Sequence, residues 1–408
     1  MNVIDNGIKL DFNDVLIVPS MSELTSRQEV NLVGTYTFGN TGISISATPV
    51  MNSNMDHTGT FEMSKALAKS DMISVLHKHY SADELIQFFK WTQNKVVFYS
   101  MGIVEQDVEK FEQVYAALLD IAPIQFVCID VANGYMTKFI QFVRDFRAKY
   151  PNICIMAGNV VTPEGVSQLA CAGANIVKVG IGSGSVCTTR KVAGVGYPQL
   201  SAIMECSTTA DSIGVYLCSD GGIINTCDTA KALAAGADFV MIGGMFAGHF
   251  ECGGELIDTF IDPHYERELV NARQIAKRAS ITDVIINELD GSRYVIRFDR
   301  DFNLITPAQP PSRWFKITSK SKMAFRGMSS ADALRDHHGG KAPYRAAEGK
   351  TVHVPLKGEL SETIETLLGG LRSTCTYVGA NNITQLYAHS RFIQVNNQLN
   401  ESLSGYNV

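Results

Sequence analysis

No Cys-x-x-Cys pair occurs among the nine cysteines, which stand at 128, 154, 171, 187, 206, 218, 227, 252 and 375. An odd and scattered set excludes a disulfide framework and a zinc ribbon, and reads as reduced thiols in a cytoplasmic protein. Proline is sparse, at 12 of 408 residues, against 45% hydrophobic and 19% charged content, which excludes a disordered or collagen-like chain. No apolar run approaches the roughly 18 residues of a membrane span, so no membrane contact is expected. Basic residues are not in excess: 35 Lys and Arg meet 41 Asp and Glu, a net charge of −6 that argues against nucleic acid as a partner. The opening, MNVIDNGIKLDFNDVLIVPS, lacks a basic stretch and carries acids throughout, so it does not read as a signal peptide.

What the chain does have is a rhythm. Eight short β-branched runs recur, each followed by a helical stretch: Ile43–Val50, Met72–Leu76, Val96–Met101, Ile124–Val131, Ile153–Gly158, Ala174–Val179, Gly214–Ser219 and Ala237–Ile242. They lack polar alternation, as parallel strands buried on both faces do. A spacing of roughly 25–40 residues is that of βα units, and eight of them predict an α/β fold, a (β/α)8 TIM barrel. The catalytic domain is read as residues 1–256 and 325–408. Residues 257–324 break the rhythm with a helix starting at Asp262-Pro263 and a hairpin turning at Asp290-Gly291, and read as an inserted subdomain or extended flap after strand eight. Tyr265, Leu269, Ala272 and Ile275 mark one face of its helix. Tyr294, Ile296 and Phe298 are expected to bury, with Arg293 and Arg297 outward. The segment is either a tolerated loop insertion or an interface or regulatory element.

The functional end of such a barrel is the C-terminal end of its strands. There the sixth run opens into Gly180-Ile181-Gly182-Ser183-Gly184-Ser185-Val186-Cys187-Thr188-Thr189-Arg190. An isolated Cys is most often a small buried residue. A thiol in a glycine-rich bend beside basic residues is instead placed to become a nucleophilic thiolate. Asp220-Gly221-Gly222 and Gly243-Gly244 end the seventh and eighth runs, where barrels often cradle phosphate on backbone amides. Ser185 and Ser219 can add hydroxyl donors, and Asp220 can accept from ribose hydroxyls. The pattern points to a nucleoside monophosphate with its base near Cys187. His57, His77 and His79 show no known ligand spacing, and no metal site is expected of them.

Gly182 to Arg190 followed by Gly194-Val195-Gly196-Tyr197-Pro198-Gln199-Leu200 resembles the IMP dehydrogenase/GMP reductase superfamily. So do Leu10 to Leu16 and the Arg326-Gly327-Met328-Ser329-Ser330 loop. Asp130 to Tyr135, Met156 to Thr162, Met204-Glu205-Cys206, Glu348 to Val352 and Arg372 to Ala380 are similar to the GMP reductase branch. The resemblance implies a purine-salvage oxidoreductase: GMP and NADPH give IMP, ammonia and NADP⁺ through a covalent thioimidate on Cys187, with Thr189 and Glu348 relaying a proton to the leaving ammonia. It also implies Met55, Met328, Ser329 and Arg345 around the nucleotide, and Lys78, Asp130 and Asn133 around the cofactor. Gly182 and Gly184 would hold a monovalent cation such as K⁺, although Ser183 replaces the usual proline and Ala347 a usual serine. A homotetramer is implied. The alternatives are an IMP dehydrogenase, or a nucleotide-binding regulatory or scaffold protein that docks through 257–324. An IMP dehydrogenase would need an Arg-Tyr pair on a flap. Arg293-Tyr294 precedes Gly327-Met328, on the wrong side, and reads as a hairpin strand.

Overall fold

A computed structural model describes residues 5–92, 95–257, 260–261, 263–279, 283–287, 293–298, 304–305, 315–316, 322–339, 344 and 346–395. After a short strand β1 (Val15–Ile17) comes an antiparallel hairpin, β2 (Gly34–Phe38) and the first part of β3 (Ile43–Asn52). Its burial pattern explains the geometry. Gly34, Tyr36 and Phe38 alternate with exposed threonines, as a strand wet on one face must. Along β3 the alternation stops at Thr48, and every residue from Ala47 to Asn52 is buried. There the strand leaves its hairpin partner and enters a parallel sheet covered on both sides.

Seven parallel strands follow: β4 (Met72–Val75), β5 (Val97–Met101), β6 (Phe126–Asp130), β7 (Cys154–Val160), β8 (Ile176–Val179), β9 (Tyr216–Asp220) and β10 (Phe239–Ile242). Each pairs with the next, and β10 returns to β3 through Val240–Val50, Met241–Met51 and Ile242–Asn52, closing an eight-stranded (β/α)8 barrel. Helices cover the outside. The helix Thr137–Lys149 buries Phe139, Val143 and Phe146, spaced by four and three residues on one stripe. The helix Pro163–Cys171 starts with proline at its first position and Thr162 capping the amide of Gly165, a cap worth about 1 kcal/mol. Inside the barrel, Met51, Val75, Phe98, Phe126, Cys128, Met156, Ile176, Cys218 and Phe239 form a dry core. Tyr36 and Phe38 of the hairpin plug its N-terminal end, with Tyr36 against Phe239 at 4.5 Å and Phe38 edge-on to Tyr216 at 5.5 Å. The plug and the pairing of β1 with Phe392–Gln394 carry no sequence signal of the βα kind.

After β10 the chain rises into a neck. Leu256–Ile257 pairs antiparallel with Met323 and Lys322, and Lys322–Arg326 pairs on its other edge with Thr351–Pro355. Beyond the neck, Phe260–Ile261 pairs with Phe315–Lys316. The helix Pro263–Ala279 lies against a three-stranded antiparallel sheet of Asp283–Asn287, Arg293–Phe298 and Leu304–Ile305. Phe298 and Val284 are buried, whereas Ile275 is exposed and the buried helix stripe is Ala272 and Ala276. Of the marked face Ala272 is therefore buried as expected, and Ala276 is buried in place of Ile275 among the described side chains. The Asp290-Gly291 turn and the side chains of Tyr265, Leu269, Arg293, Tyr294, Ile296 and Arg297 lie outside the described residues. Among the described residues no helix is long and apolar enough to cross a membrane.

Candidate active site

A cavity of about 430 Å³ opens at the C-terminal end of the strands, within the range of small-molecule sites. Its wall is the loop after β8. Gly180 opens that loop so close to β9 that a Cβ there would stand 2.0 Å from the carbonyl oxygen of Asp220, so glycine is the residue that fits. Ser183 donates to the same carbonyl at 3.1 Å, a tether where the family's proline would stiffen the loop through its ring. The loop then turns, the Cys187 amide donating to the Gly184 carbonyl at 3.0 Å. The Cys187 thiol donates to Thr189 Oγ1 at 3.2 Å.

The strip Glu348–Lys350 is laced across this loop. The Thr188 amide donates to the Glu348 carbonyl at 2.9 Å, and the Lys350 amide to Val186 at 2.9 Å. On its other side, the Glu348 amide donates to Ser329 at 3.1 Å, and Gly349 bridges both Cys187 and Ser330. Three segments remote in sequence thus meet at one wall, with Cys187, Thr189, Glu348, Met328 and Ser329 all lining the cavity.

Asp56 anchors the roof. Its Oδ2 accepts from Arg326 Nε at 2.9 Å and Nη2 at 2.6 Å, and lies 2.9 Å from His337 Nε2, while its amide donates to the Met328 sulfur at 3.3 Å. Burial alone would raise the Asp56 carboxyl, but His57, Arg326 and His337 hold it below its ordinary value. His337 stacks on His79 at 3.5 Å. Burial pushes His77 down to about 4 and His79 to about 3, so both rings are neutral near pH 7. Among the described residues no group of three or more His, Cys, Asp or Glu is arranged to hold a metal ion.

The opposite wall is polar. Met55, Lys78, Asp130, Asn159, Lys178 and Asp220 line it with Ser100. Lys78 Nζ is fixed at 2.8 Å from Asp107 Oδ2. Lys178 is fully buried, and although burial opposes its charge, Asp130 and Asp220 raise its pKa well above the ordinary value. Lys178 escapes the sequence reading, and Asn159 enters it only within the Met156–Thr162 stretch, without a role. A lone lysine inside Ile176-Val177-Lys178-Val179 was the available signal, since a charge in a doubly covered strand must meet counter-charges.

Several expected residues sit elsewhere. Ser219 is fully buried and accepts from Gln199 Nε2 at 3.2 Å, away from the cavity lining. Asn133 is exposed, its side chain closing a turn onto the Tyr135 amide at 3.0 Å. Gly221, Gly222, Gly243, Gly244 and Ser185 flank the cavity, with Ser185 Oγ 2.6 Å from where a Gly244 Cβ would stand. Arg345 lies outside the described residues. The Arg190 side chain packs against Gly182, with Nε 3.3 Å from that residue's Cβ position, and the Gly184 carbonyl is taken by Cys187.

A family model described as IMP dehydrogenase / GMP reductase domain matches residues 9–262 and 305–404. The chain is 43% identical over 403 residues to GMP reductase 2 of Homo sapiens, covering 98% of each. It is 40% identical over 413 residues to GMP reductase of Onchocerca volvulus, covering 100% of this chain and 97% of that one. To GMP reductase of Caenorhabditis elegans it is 42% identical over 409 residues, covering 99% and 97%. By this match across nearly its whole length, the chain belongs to the IMP dehydrogenase/GMP reductase family.

Proposed function

We propose that this enzyme is a GMP reductase, converting GMP and NADPH to IMP, ammonia and NADP⁺ in nucleotide salvage. The observation that carries the reading is the wall where the Cys187 thiol meets the Thr189 hydroxyl beside the Glu348 strip. The Cys187 thiol gives its proton to the Thr189 hydroxyl as Sγ bonds to C2 of the guanine, a proton reaches the exocyclic amine, the C2–N bond breaks, and ammonia leaves. Thr189 relays that proton, with Glu348 behind it as the source. A bound reduced nicotinamide supplies the hydride to C2. The C–S bond then breaks, its electron pair returning to Sγ, and IMP departs.

The cavity's far wall supports a nicotinamide. Asn159 Oδ1 is buried with no hydrogen-bond partner among the described residues, and a carboxamide can donate to such an acceptor. Lys78 and Asp130 would hold its ribose and phosphates, while Met55, Met328, Ser329 and Asp220 hold the nucleotide. A monovalent cation at Gly182 and Gly184 stays an expectation of the family resemblance, and no step here is routed through it. Residues 257–324 are an inserted subdomain, and the family model skips 263–304 within it. The nine cysteines stand as thiols rather than disulfides, which suits a cytoplasmic location. A homotetramer is the assembly that the family resemblance suggests, and light scattering of the pure chain tests it.

Mixing the protein with GMP and NADPH and following loss of the reduced cofactor tests the activity. Turnover with GMP and none with IMP and NAD⁺ is expected. The reverse pattern would make the chain an IMP dehydrogenase.

A further inference from the structure

Four consecutive barrel strands end in one polar layer. Asp130 comes from β6, Asn159 from β7, Lys178 from β8 and Asp220 from β9. At its centre Lys178 Nζ lies 2.5 Å from Asp130 Oδ1 and 3.2 Å from Asp220 Oδ2, with the lysine side chain 1% exposed. Asn159 Nδ2 donates to the same Asp220 oxygen at 2.8 Å and to the Gly180 carbonyl at 2.8 Å. Beneath the layer lie the buried thiols of Cys128 and Cys218, and above it the cavity. The lysine therefore touches no solvent. Its two partners do: the Asp130 side chain is 38% exposed and that of Asp220 20%.

The division of oxygens is informative. Lys178 takes Oδ1 of Asp130, while Lys178 and Asn159 take Oδ2 of Asp220. Oδ2 of Asp130 and Oδ1 of Asp220 are left to a ligand. Without the ammonium, two carboxylates within about 6 Å of each other would repel and turn apart. A carboxylate turned away no longer offers its oxygen where a ribose hydroxyl would donate.

We infer that Lys178 is a positioning residue for both ligands at once, one ammonium that keeps Asp130 aimed at the cofactor and Asp220 aimed at the nucleotide. The inference rests on the reading of the cavity as a site for a purine nucleotide and a nicotinamide. The two ligands are then recognised through a shared charge, and a change at one carboxylate is felt at the other.

Calorimetric titration of GMP and of NADP⁺, each alone, into the full chain tests this without turnover. Lys178→Met is expected to weaken both ligands tenfold or more. Adding Asp130→Asn to that variant removes the carboxylate repulsion. It is expected to restore GMP to within threefold of wild type while NADP⁺ stays weak, a split that a general loss of packing would not produce. Unchanged affinities in Lys178→Met, a loss confined to one ligand, or no recovery of GMP in the double variant would each overturn the inference. Should Lys178→Met fail to fold, Lys178→Arg carries the same test. The larger guanidinium is expected to weaken both ligands at least fivefold, and an effect on one alone overturns the inference. Wild-type protein that bound neither nucleotide would overturn the reading of the site and this inference with it. Wild-type binding with an indifferent Lys178→Met overturns this inference alone.

Discussion

The amide of Thr188 donates to the carbonyl of Glu348 at 2.9 Å, so the residue after the reactive thiol and the residue carrying the acid are joined through backbone alone. Side-chain changes at Glu348 therefore leave the strip in place. Glu348→Gln is expected to fold as wild type and to lose at least a hundredfold in GMP reduction, in line with the loss of a general acid. The partial reaction of IMP with NADP⁺ forms the thioimidate without a leaving amine, and is expected to fall much less. Equal losses in the two reactions would remove Glu348 from the proton path.

Cys187→Ala removes the nucleophile but none of the groups proposed to hold phosphate and ribose. GMP affinity within a few-fold of wild type is expected, with no measurable oxidation of NADPH. Calorimetry and cofactor absorbance read the two halves. Residual reduction above a thousandth of wild type would argue for direct hydride addition without a covalent step.

Asp56 ties Arg326 and His337 to the roof, and its amide meets the Met328 sulfur. Breaking such a buried pair costs about 3 kcal/mol. Asp56→Asn is expected to lower the melting temperature by several degrees and to raise the KM for GMP more than it lowers kcat. An unchanged KM would show that the roof holds its shape without the clamp.

The histidines give an acid limb. The folded pKa values of His77 and His79, about 4 and about 3, lie below the ordinary 6.5. As pH falls through about 6.5 the unfolded chain takes up protons that the folded chain refuses, so stability drops until about pH 4 for His77 and about pH 3 for His79. Asp56, whose folded value is depressed, adds a second loss at lower pH still, as its carboxylate is protonated. Melting curves from pH 7.5 down to about 4.5 are expected to show the first limb. His77→Asn, which can still accept from the His79 amide, is expected to flatten it.

The ends of the insertion meet, Ile257 pairing with Lys322. Replacing residues 258–321 by a short Gly-Ser linker keeps that pair, and closing a long loop costs little more than closing a short one. Activity within threefold of wild type and an unchanged assembly are expected. Loss of assembly by light scattering would make the segment an interface.

All eight barrel strands were legible because parallel strands write themselves as apolar runs. The Cys187 loop was legible because glycines and a thiol together are uncommon at a strand end. Ser219 misled because strand register decides which way a side chain faces, and Gln199, in a helix after the loop, claims it. The roles of Lys178, Asn159 and Asp56 were hidden for the same reason in reverse. Their partners come from other strands or from the far side of the insertion, and spacing along the chain carries no trace of them.

The Tyr36 and Phe38 plug makes the barrel a vessel stoppered at one end. The interior behind it is filled by apolar side chains, and the polar groups gather at the mouth. The base can therefore drift or be engineered almost independently of the chemistry. Changes to the aromatic stopper, such as Phe38→Leu or Tyr36→Phe, would move the melting point while leaving the mouth as it is. That separation gives an enzyme of this architecture room to adapt to heat without retuning its catalyst.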